Sequence, residues 1–292
     1  MELTIDGYTK ILGIIGDPVE HSKSPVLHNY ISTCKNINAV YVPFKVSPDN
    51  LSHAVNGLRS LDVVGFNVTV PHKNNVMQYL DGVSEEAALI GAVNAVKNIG
   101  GKLWGYNTDG DGFLRSFREE TGNSFLNKSA VIIGAGGAAK AIAVKAAIEG
   151  VRSMIILNRT VDRAKELSCY INEKIANCCA FAGMEHIDVE NAVMGCEIVI
   201  NTTSVGMYPK TDKSPIEAYS LLNDKHTVYD IIYNPEKTEL LKSAEEKGSK
   251  AVNGLGMLFY QGIYAYEKWM DIKLSEDEIA KFYTKFKEII QK

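Results

Sequence analysis

Short apolar runs alternate with amphipathic stretches over the first third of the chain. Residues 11–16, 40–44 and 63–70 are predicted to be buried strands, and residues 25–33 and 51–60 to be the helices that connect them. Strands that alternate with helices in this way form βαβ units around a mostly parallel sheet. The pattern therefore predicts an α/β fold for this part of the chain.

The same alternation resumes after a helix that is predicted near residues 111–121. Apolar runs at 130–133, 154–157, 198–201 and 227–231 are predicted to be the strands of a second sheet. Since a helical pattern separates the first two of these runs, the second sheet is expected to contain parallel βαβ units as well.

The last part of the chain, from about Met257, has a helical pattern. Ser275-x-x-Glu278 forms a capping box, which marks the first turn of a helix. The apolar face of that helix carries Ile279, Tyr283, Phe286 and Ile290. We expect these C-terminal helices to fold back on the first α/β domain.

A glycine turn joins the strand at 130–133 to an alanine-rich helix. The spacing is Gly134-x-Gly136-x-x-Ala139. Such glycines let the turn be tight and let the backbone approach a pyrophosphate, which then lies on the helix N-terminus. The turn therefore predicts a dinucleotide site, and an ordinary βαβ unit with a glycine turn is the alternative.

The residues after the next strand indicate which dinucleotide is bound. Asn158, Arg159 and Thr160 stand where an NAD site usually has an acidic residue, and Arg163 follows closely. Because a guanidinium can bind a phosphate through two parallel hydrogen bonds, this replacement favours NADP. We predict a Rossmann-type NADP domain at residues 111–256, and a substrate domain at residues 1–110 together with 257–292.

Composition excludes several other classes of function. The net charge of −4 comes without a basic stripe, so nucleic acid and anionic membranes are not expected partners. No apolar run approaches the roughly 20 residues of a membrane helix, and the first residues lack the basic and apolar regions of a signal peptide. The five cysteines show no zinc-ligand spacing, so we expect free thiols in the cytoplasm and no metal.

Two serines precede the first predicted helix. Ser22 and Ser24 flank Lys23, and Pro25 is placed to open the helix. Two hydroxyls beside free backbone N–H groups could hold a substrate carboxylate. The alternative is that one serine simply caps the helix.

Polar residues also follow the third predicted strand. Asn67 and Thr69 share one face of that strand because side chains alternate, and Lys73 lies just beyond Pro71. A strand that is buried on both sides normally carries apolar residues, so these polar groups indicate a ligand or a hydrogen-bond network. An exposed loop lysine is the alternative for Lys73.

Four further polar residues stand at the ends of predicted elements. Asn94 and Asp109 follow small or apolar runs, Tyr233 follows the strand at 227–231, and Gln261 lies one turn into the last helical region. Asp109 could equally cap the helix that follows it, and Tyr233 could be a core aromatic residue.

Taken together, these segments resemble the shikimate dehydrogenase family. Nine family motifs occur in order between Ser22 and Gln261: Ser-x-Ser-Pro, Asn-x-Thr-x-Pro-x-Lys, Gly-Ala-x-Asn, Gly-x-Asn-Thr-Asp, Gly-Ala-Gly-Gly-Ala, Asn-Arg-Thr, Asn-Thr-Thr-x-x-Gly-Met, Asp-x-x-Tyr-x-Pro and Gly-Met-Leu-x-x-Gln. The resemblance thus covers nearly the whole chain. Ala95 is one departure, since the family often has threonine after the asparagine, and it puts only a neighbouring contact in doubt.

The resemblance implies a reversible, NADP-dependent reduction of 3-dehydroshikimate to shikimate, a step of aromatic amino-acid biosynthesis. Lys73 and Asp109 would form the catalytic pair. The residues expected to bind substrate are Ser22, Ser24, Asn67, Thr69, Lys73, Asn94, Asp109, Tyr233 and Gln261. The residues expected to bind the cofactor are Gly134, Ala135, Gly136, Gly137, Ala138, Asn158, Arg159, Thr160, Arg163, Ile231 and Gly254.

Within those sets the resemblance implies finer roles. Ser22 and Ser24 would hold the substrate carboxylate, with Tyr233 assisting, and Ile231 and Gly254 would lie near the nicotinamide. The ring hydroxyls would be contacted by Thr69, Lys73, Asn94, Asp109 and Gln261.

Three other functions fit the same scaffold. An NAD-preferring quinate/shikimate dehydrogenase is disfavoured by Arg159, and a folate-linked dehydrogenase should lack the paired serines. A non-catalytic NADP-binding regulator would bind cofactor without turnover, which the intact Lys73 and Asp109 argue against. The expected partners are the small-molecule substrate and, in a homodimer, a second copy of the chain.

Overall fold

The computed structural model describes residues 5–217 and 219–290, so part of the N-terminal stretch for which no signal peptide is expected lies outside the described residues. The chain forms two compact units. The first unit contains the described residues up to Thr108 and from Gln261 onward, and the second contains Asp109–Tyr260. Among the described residues, no helix combines the length and apolar character needed to span a membrane.

The elements of the described residues follow in chain order. The strands are β1 Lys10–Gly16, β2 Ala39–Lys45, β3 Gly65–Val68, β4 Gly82–Val83, β5 Ala95–Ile99, β6 Lys102–Tyr106, β7 Ser129–Ile133, β8 Ser153–Leu157, β9 Cys179–Ala182, β10 Ile198–Asn201, β11 Thr227–Asp230 and β12 Lys250–Val252. The α-helices are α1 Ser24–Cys34, α2 Leu51–Ser60, α3 Glu85–Ile90, α4 Asp109–Thr121, α5 Gly137–Ile148, α6 Val161–Lys174, α7 His186–Met194, α8 Glu239–Glu246, α9 Leu255–Met270 and α10 Glu276–Ile290.

The first unit is built around a mixed sheet in the order β2-β1-β3-β5-β6-β4. β1 pairs in parallel with β2 and β3, as the alternating pattern predicts, and β4 is parallel to β6. β5 is antiparallel to both of its neighbours, β3 and β6. The β5–β6 hairpin was not among the predicted elements, and it adds the antiparallel part of an otherwise parallel sheet.

The predicted strand at 63–70 is shorter in the structure. β3 ends at Val68, although the Thr69 N–H still donates to Ile15 O at 2.9 Å. The side chains of β3 are buried, including Phe66 and Val68, which pack in the same apolar core as Ile15 and Leu103. β3 is therefore a central strand, and polar side chains on or just after it are held within the unit.

The C-terminal helices belong to the first unit from Gln261 onward, as predicted. Trp269 Nε1 donates to Val96 O at 2.8 Å, and Lys35 Nζ lies 2.6 Å from Glu278 Oε1. The capping box is confirmed: Glu278 N donates to Ser275 Oγ at 3.3 Å and Ser275 N to Glu278 Oε2 at 2.9 Å.

The second unit contains an entirely parallel sheet in the order β12-β11-β10-β7-β8-β9. Its first strand in the chain, β7, lies centrally between β8 and β10, which is the Rossmann arrangement and the predicted one. The strand order reverses at β7, so the carboxyl ends of β7, β8 and β10 form the crevice where such sheets bind ligands. α4 begins at Asp109, two residues earlier than the predicted helix.

Candidate functional site

The paired serines lie at the first turn of α1 in the first unit. The Ser22 hydroxyl accepts a hydrogen bond from Ser24 N at 3.3 Å, and the helix has no other side-chain cap at Lys23. Ser24 is itself the first helical residue and is buried. The pair therefore lies together beside the N-terminal turn, while the N-cap residue, Lys23, makes no side-chain cap.

Asn67 lies on β3 within a chain of buried hydrogen bonds. Its Oδ1 accepts from the Tyr41 hydroxyl at 2.7 Å, and its Nδ2 donates to Asn94 O at 2.9 Å. Burial raises the pKa of Tyr41 well above its usual range, and a hydrogen bond from Ser24 acts in the opposite direction. Asn67 thus joins Ser24 and Asn94 through its neighbours, which is the network that its polar character indicates.

The turn after β3 fixes the backbone of Lys73. His72 is buried, and its Nε2 lies 2.7 Å from Val46 O. Val93 N donates to Lys73 O at 2.8 Å, next to Asn94 in the chain. Lys73 is half-buried rather than an exposed loop lysine, and Thr69 is half-buried at the same turn.

Asn94 and Gln261 meet in one hydrogen-bonded cluster with Thr108. Asn94 Nδ2 donates to Gln261 Oε1 at 3.2 Å, and Asn94 Oδ1 accepts from Thr108 N at 2.7 Å. The Thr108 hydroxyl donates to Gln261 O at 3.0 Å. All three residues are buried, so the cluster holds its polar atoms in a fixed arrangement.

The β5–β6 hairpin explains how Asn94 reaches the residues before α4. Ala95 pairs with Tyr106, so Asn94 lies opposite the segment that begins at Asn107. Asn107 Nδ2 donates to Ala92 O at 3.0 Å, which ties the same two segments a second time. Asp109, the first residue of the second unit, is buried within the first turn of α4 rather than placed before the helix as a cap.

Three residues of this region were not predicted as site residues. Tyr41 and Thr108 take part in the hydrogen bonds described above, and His28 is fully buried and stacked on the Tyr41 ring at 4.4 Å. Burial lowers the pKa of His28 to about 3. Thr108 stands inside a quoted motif, so the sequence did carry a signal for it, whereas Tyr41 and His28 are identified only by tertiary packing.

In the second unit, the glycine turn lies between β7 and α5 as predicted. Gly134 has a φ of +109°, and a Cβ there would lie 2.5 Å from Thr202 Oγ1, so only glycine fits. Gly136 and Gly137 are exposed, and open space surrounds the position of a Cβ at each. Ala135 and Ala138 are half-buried, and Ala139 is fully buried where the helix packs on the sheet.

The residues after β8 form an exposed, cationic corner. Asn158 Nδ2 and Arg163 N both donate to Thr160 O, at 2.9 and 3.1 Å. Arg159 and Arg163 are exposed, and within residues 5–217 and 219–290 neither guanidinium has a hydrogen-bond or ion-pair partner. Two unpaired guanidinium groups beside a glycine turn are suited to bind a phosphate.

A cavity of about 500 Å³ opens between the glycine turn and this corner. Its size is within the range of small-molecule sites, which is about 300–1,000 Å³. Its walls combine polar and apolar groups from several loops, including Gly134, Asn158, Arg159, Met184, Thr203 and Ile216.

The remaining predicted residues of the second unit follow β11 and β12. Ile231 N donates to Asn201 O at 3.0 Å, and Gly254 N donates to Ile232 O at 3.0 Å. Gly254 packs so closely on Ile231 that a Cβ would overlap its carbonyl oxygen. Tyr233 is half-buried, burial raises its pKa, and its hydroxyl has no hydrogen-bond partner in the part of the chain that is described.

Both parts of the chain match the models of known protein families. Residues 14–96 match the model described as the shikimate dehydrogenase substrate binding domain. Residues 117–231 match the model described as shikimate / quinate 5-dehydrogenase. Together these ranges cover more than half of the chain.

Individual relatives are similar over nearly the full length. A protein of Caldanaerobacter subterraneus named shikimate dehydrogenase (NADP(+)) is 47% identical, over 91% of this chain and 94% of that one. A solved shikimate dehydrogenase in complex with NADP+ is 43% identical with a TM-score of 0.88, over 97% of each chain. The Listeria monocytogenes enzyme, solved with shikimate and NAD, is 36% identical with a TM-score of 0.90, over 96% of this chain and 98% of that one.

Proposed function

The chain belongs to the shikimate dehydrogenase family, and on that basis we propose that it catalyses the reversible, NADPH-dependent reduction of 3-dehydroshikimate to shikimate. It would thus be an oxidoreductase that acts on a CH–OH group and catalyses one step of the shikimate pathway. One structural observation carries the proposal. Residues that the resemblance assigns to substrate, as far apart in sequence as Asn94 and Gln261, meet in one buried network.

The second unit offers groups that fit NADP. The turn from Gly134 to Ala138 is exposed at Gly136 and Gly137, which leaves room for a pyrophosphate beside the N-terminus of α5, where backbone N–H groups favour an anion. Arg159 and Arg163 would hold the 2′-phosphate together with Asn158 and Thr160. The cavity of about 500 Å³ beside them would take the adenosine half.

The first unit offers groups that fit a small polyhydroxylated acid. Ser22 and Ser24 would bind the carboxylate near the N-terminal turn of α1. Asn94 and Gln261 would hold ring hydroxyls, because the buried network fixes the direction of their polar atoms. Asn67 and Thr69 would support or contact the same ring.

The chemistry requires a proton donor at the ketone oxygen. When bound, NADPH supplies the hydride to the ketone carbon. Negative charge then develops on the ketone oxygen, and the Lys73 ammonium would stabilise that charge and donate the proton. The Asp109 carboxylate would orient the ammonium. The Lys73 backbone is held next to Asn94, since Val93 N donates to Lys73 O at 2.8 Å.

A steady-state assay tests the proposal directly. Purified protein is given 3-dehydroshikimate with either NADPH or NADH, and cofactor oxidation is followed by absorbance while shikimate is quantified. We expect one shikimate for each NADPH consumed and a higher kcat/KM with NADPH than with NADH. Binding of NADPH without turnover would support the regulator instead. A preference for NADH over NADPH, together with oxidation of quinate by NAD+, would support the quinate enzyme.

The cytoplasm is the proposed compartment, since Cys34, Cys169, Cys178, Cys179 and Cys196 are all free thiols. A homodimer stays a prediction, which sedimentation velocity tests. Activity in the soluble cell fraction, measured with the same NADPH assay, would support the proposed compartment.

A further inference from the structure

Asp230 is a fully buried carboxylate at the end of β11. Three groups donate to it: Asn201 Nδ2 at 3.0 Å and Ile232 N at 3.1 Å to Oδ1, and the Thr238 hydroxyl at 2.7 Å to Oδ2. Burial raises the pKa of Asp230 to about 6, although the three hydrogen bonds act to lower it. A carboxyl group is costly to bury, so its three partners point to a specific task.

One of these hydrogen bonds determines the orientation of the Asn201 amide. Because Asp230 Oδ1 accepts from Nδ2, the Asn201 carbonyl oxygen faces the other way, where it accepts from Thr203 N at 3.0 Å and from the Thr203 hydroxyl at 2.8 Å. A flipped amide would place its oxygen against Asp230 Oδ1, which is also an acceptor, and its NH2 group against the Thr203 N–H, which is also a donor. The acceptor-only carboxylate therefore specifies a single orientation.

The hydrogen bonds continue from Thr203 to the wall of the cavity. Val205 N donates to the Thr203 hydroxyl at 3.2 Å, and Thr203, Ser204 and Val205 line the cavity together with Gly134 and Arg159. Asp230 itself does not line the cavity. Its hydrogen bond to Asn201 connects it to that wall.

Thr238, which binds the other oxygen of the carboxylate, does not line the cavity. Thr238 donates to Oδ2 and caps α8 by accepting from Leu241 N at 3.4 Å. The two oxygens of the Asp230 carboxylate therefore have different partners. Oδ1 serves the loop after β10, and Oδ2 serves the start of α8.

We propose that Asp230 is a positioning residue for the dinucleotide: through Asn201 and Thr203 it holds the loop of residues 202–205 in the conformation that receives the cofactor. The inference rests on the proposed function to the extent that the cavity is a dinucleotide site. Asp230 would thus act on cofactor affinity without contacting the cofactor.

Two measurements test this role: the Kd for NADPH, obtained from protein fluorescence, and the melting temperature, Tm. Thr203→Val removes the hydroxyl that links Asn201 to Val205 N and should raise the Kd for NADPH about 3- to 10-fold. Tm should change little, because Thr203 is a half-buried loop residue. Asp230→Leu should raise the Kd about 10- to 100-fold. Thr238→Val is the matched control, because it removes a hydrogen bond to the same carboxylate on the side of α8. It should lower Tm and leave the Kd within about twofold of the wild type.

Two results would overturn the inference. One is an unchanged Kd in Thr203→Val, which stays informative even where Asp230→Leu does not fold. The other is an increase in Kd for Thr238→Val that equals that of Thr203→Val, since this would reduce Asp230 to a general structural role. The proposed function fails separately, when the wild type binds NADPH but does not reduce 3-dehydroshikimate.

Discussion

The two units present their predicted site residues in opposite ways. In the first unit, Asn67, Asn94 and Gln261 are buried and hydrogen-bonded to one another or to shared neighbours. In the second unit, Gly136 and Arg159 are exposed, and the Arg159 guanidinium has no partner among the described residues. The first arrangement is set before a ligand arrives, whereas the second leaves donors free for one.

This difference follows from the chemistry of the proposed ligands. A small ring with several hydroxyls is distinguished by the direction of each hydrogen bond, which a rigid buried network provides. A phosphate is bound by charge and by backbone N–H groups, which stay hydrated until the ligand displaces the water. Substitutions in the first unit should therefore affect turnover and substrate affinity, and those at Arg159 should affect cofactor affinity.

The largest expected effect is at Lys73. Lys73→Ala should lower kcat about 100- to 10,000-fold, because the ketone oxygen loses its proton donor. Affinity for substrate should change far less, since the full negative charge exists only near the transition state. Stopped-flow or steady-state assays with NADPH measure this, with the exposed Lys102→Ala as the control. A near-normal kcat in Lys73→Ala would remove the proposed mechanism.

The serine pair should show the next largest effect. Removing one hydrogen bond to a charged group costs about 1.5–3 kcal/mol, so Ser22→Ala or Ser24→Ala should raise the KM for shikimate about 10- to 100-fold. The KM for NADP+ should not change. Ser60→Ala is the control, because the Ser60 hydroxyl donates to Asn56 O on the exposed side of α2. An unchanged KM in both variants would place the carboxylate elsewhere.

The buried residues of the first unit also predict that the stability of the protein depends on pH. Burial lowers the pKa of His28 from 6.5 to about 3. The unfolded chain then binds a proton below pH 6.5 while the folded chain does not, so stability is present above pH 6.5 and is lost as the pH falls toward 3. The loss should reach about 2 kcal/mol by pH 5.

Urea unfolding of the wild type and His28→Phe at pH 7 and pH 5 measures this contribution. The free energy of unfolding should fall less between these pH values in His28→Phe than in the wild type. The aromatic replacement retains stacking with Tyr41, whose ring centre lies 4.4 Å away. Equal losses in both proteins would show that His28 is protonated in the folded chain.

The same contrast explains how much the sequence could predict. The glycine turn from Gly134 and the corner at Arg159 are local motifs, and the structure places both at the ends of consecutive strands of one parallel sheet, as predicted. The motifs of the first unit are also visible in the sequence. The contact between Asn94 and Thr108 is not, because it depends on the β5–β6 hairpin and its register, which the sequence did not predict.

Some residues could not be found from the sequence for a physical reason. Tyr41 stands in an apolar strand, and only the register of β1 with β2 and β3 brings its hydroxyl to Asn67. His28 lies on the buried face of α1, where its pattern resembles that of any core residue. Long-range strand pairing decides these contacts, and no local pattern encodes it.

Arg159 offers the most direct test of the central claim that the second unit reads the cofactor with free, exposed groups. Kd values for NADPH and NADH are measured for the wild type, for Arg159→Ala and for the control Arg152→Ala, an exposed arginine 3.3 Å from Glu197. Arg159→Ala should weaken NADPH binding about 10-fold, leave NADH binding unchanged and leave the KM for 3-dehydroshikimate unchanged. Equal losses for both dinucleotides, or no loss for NADPH, would contradict the account.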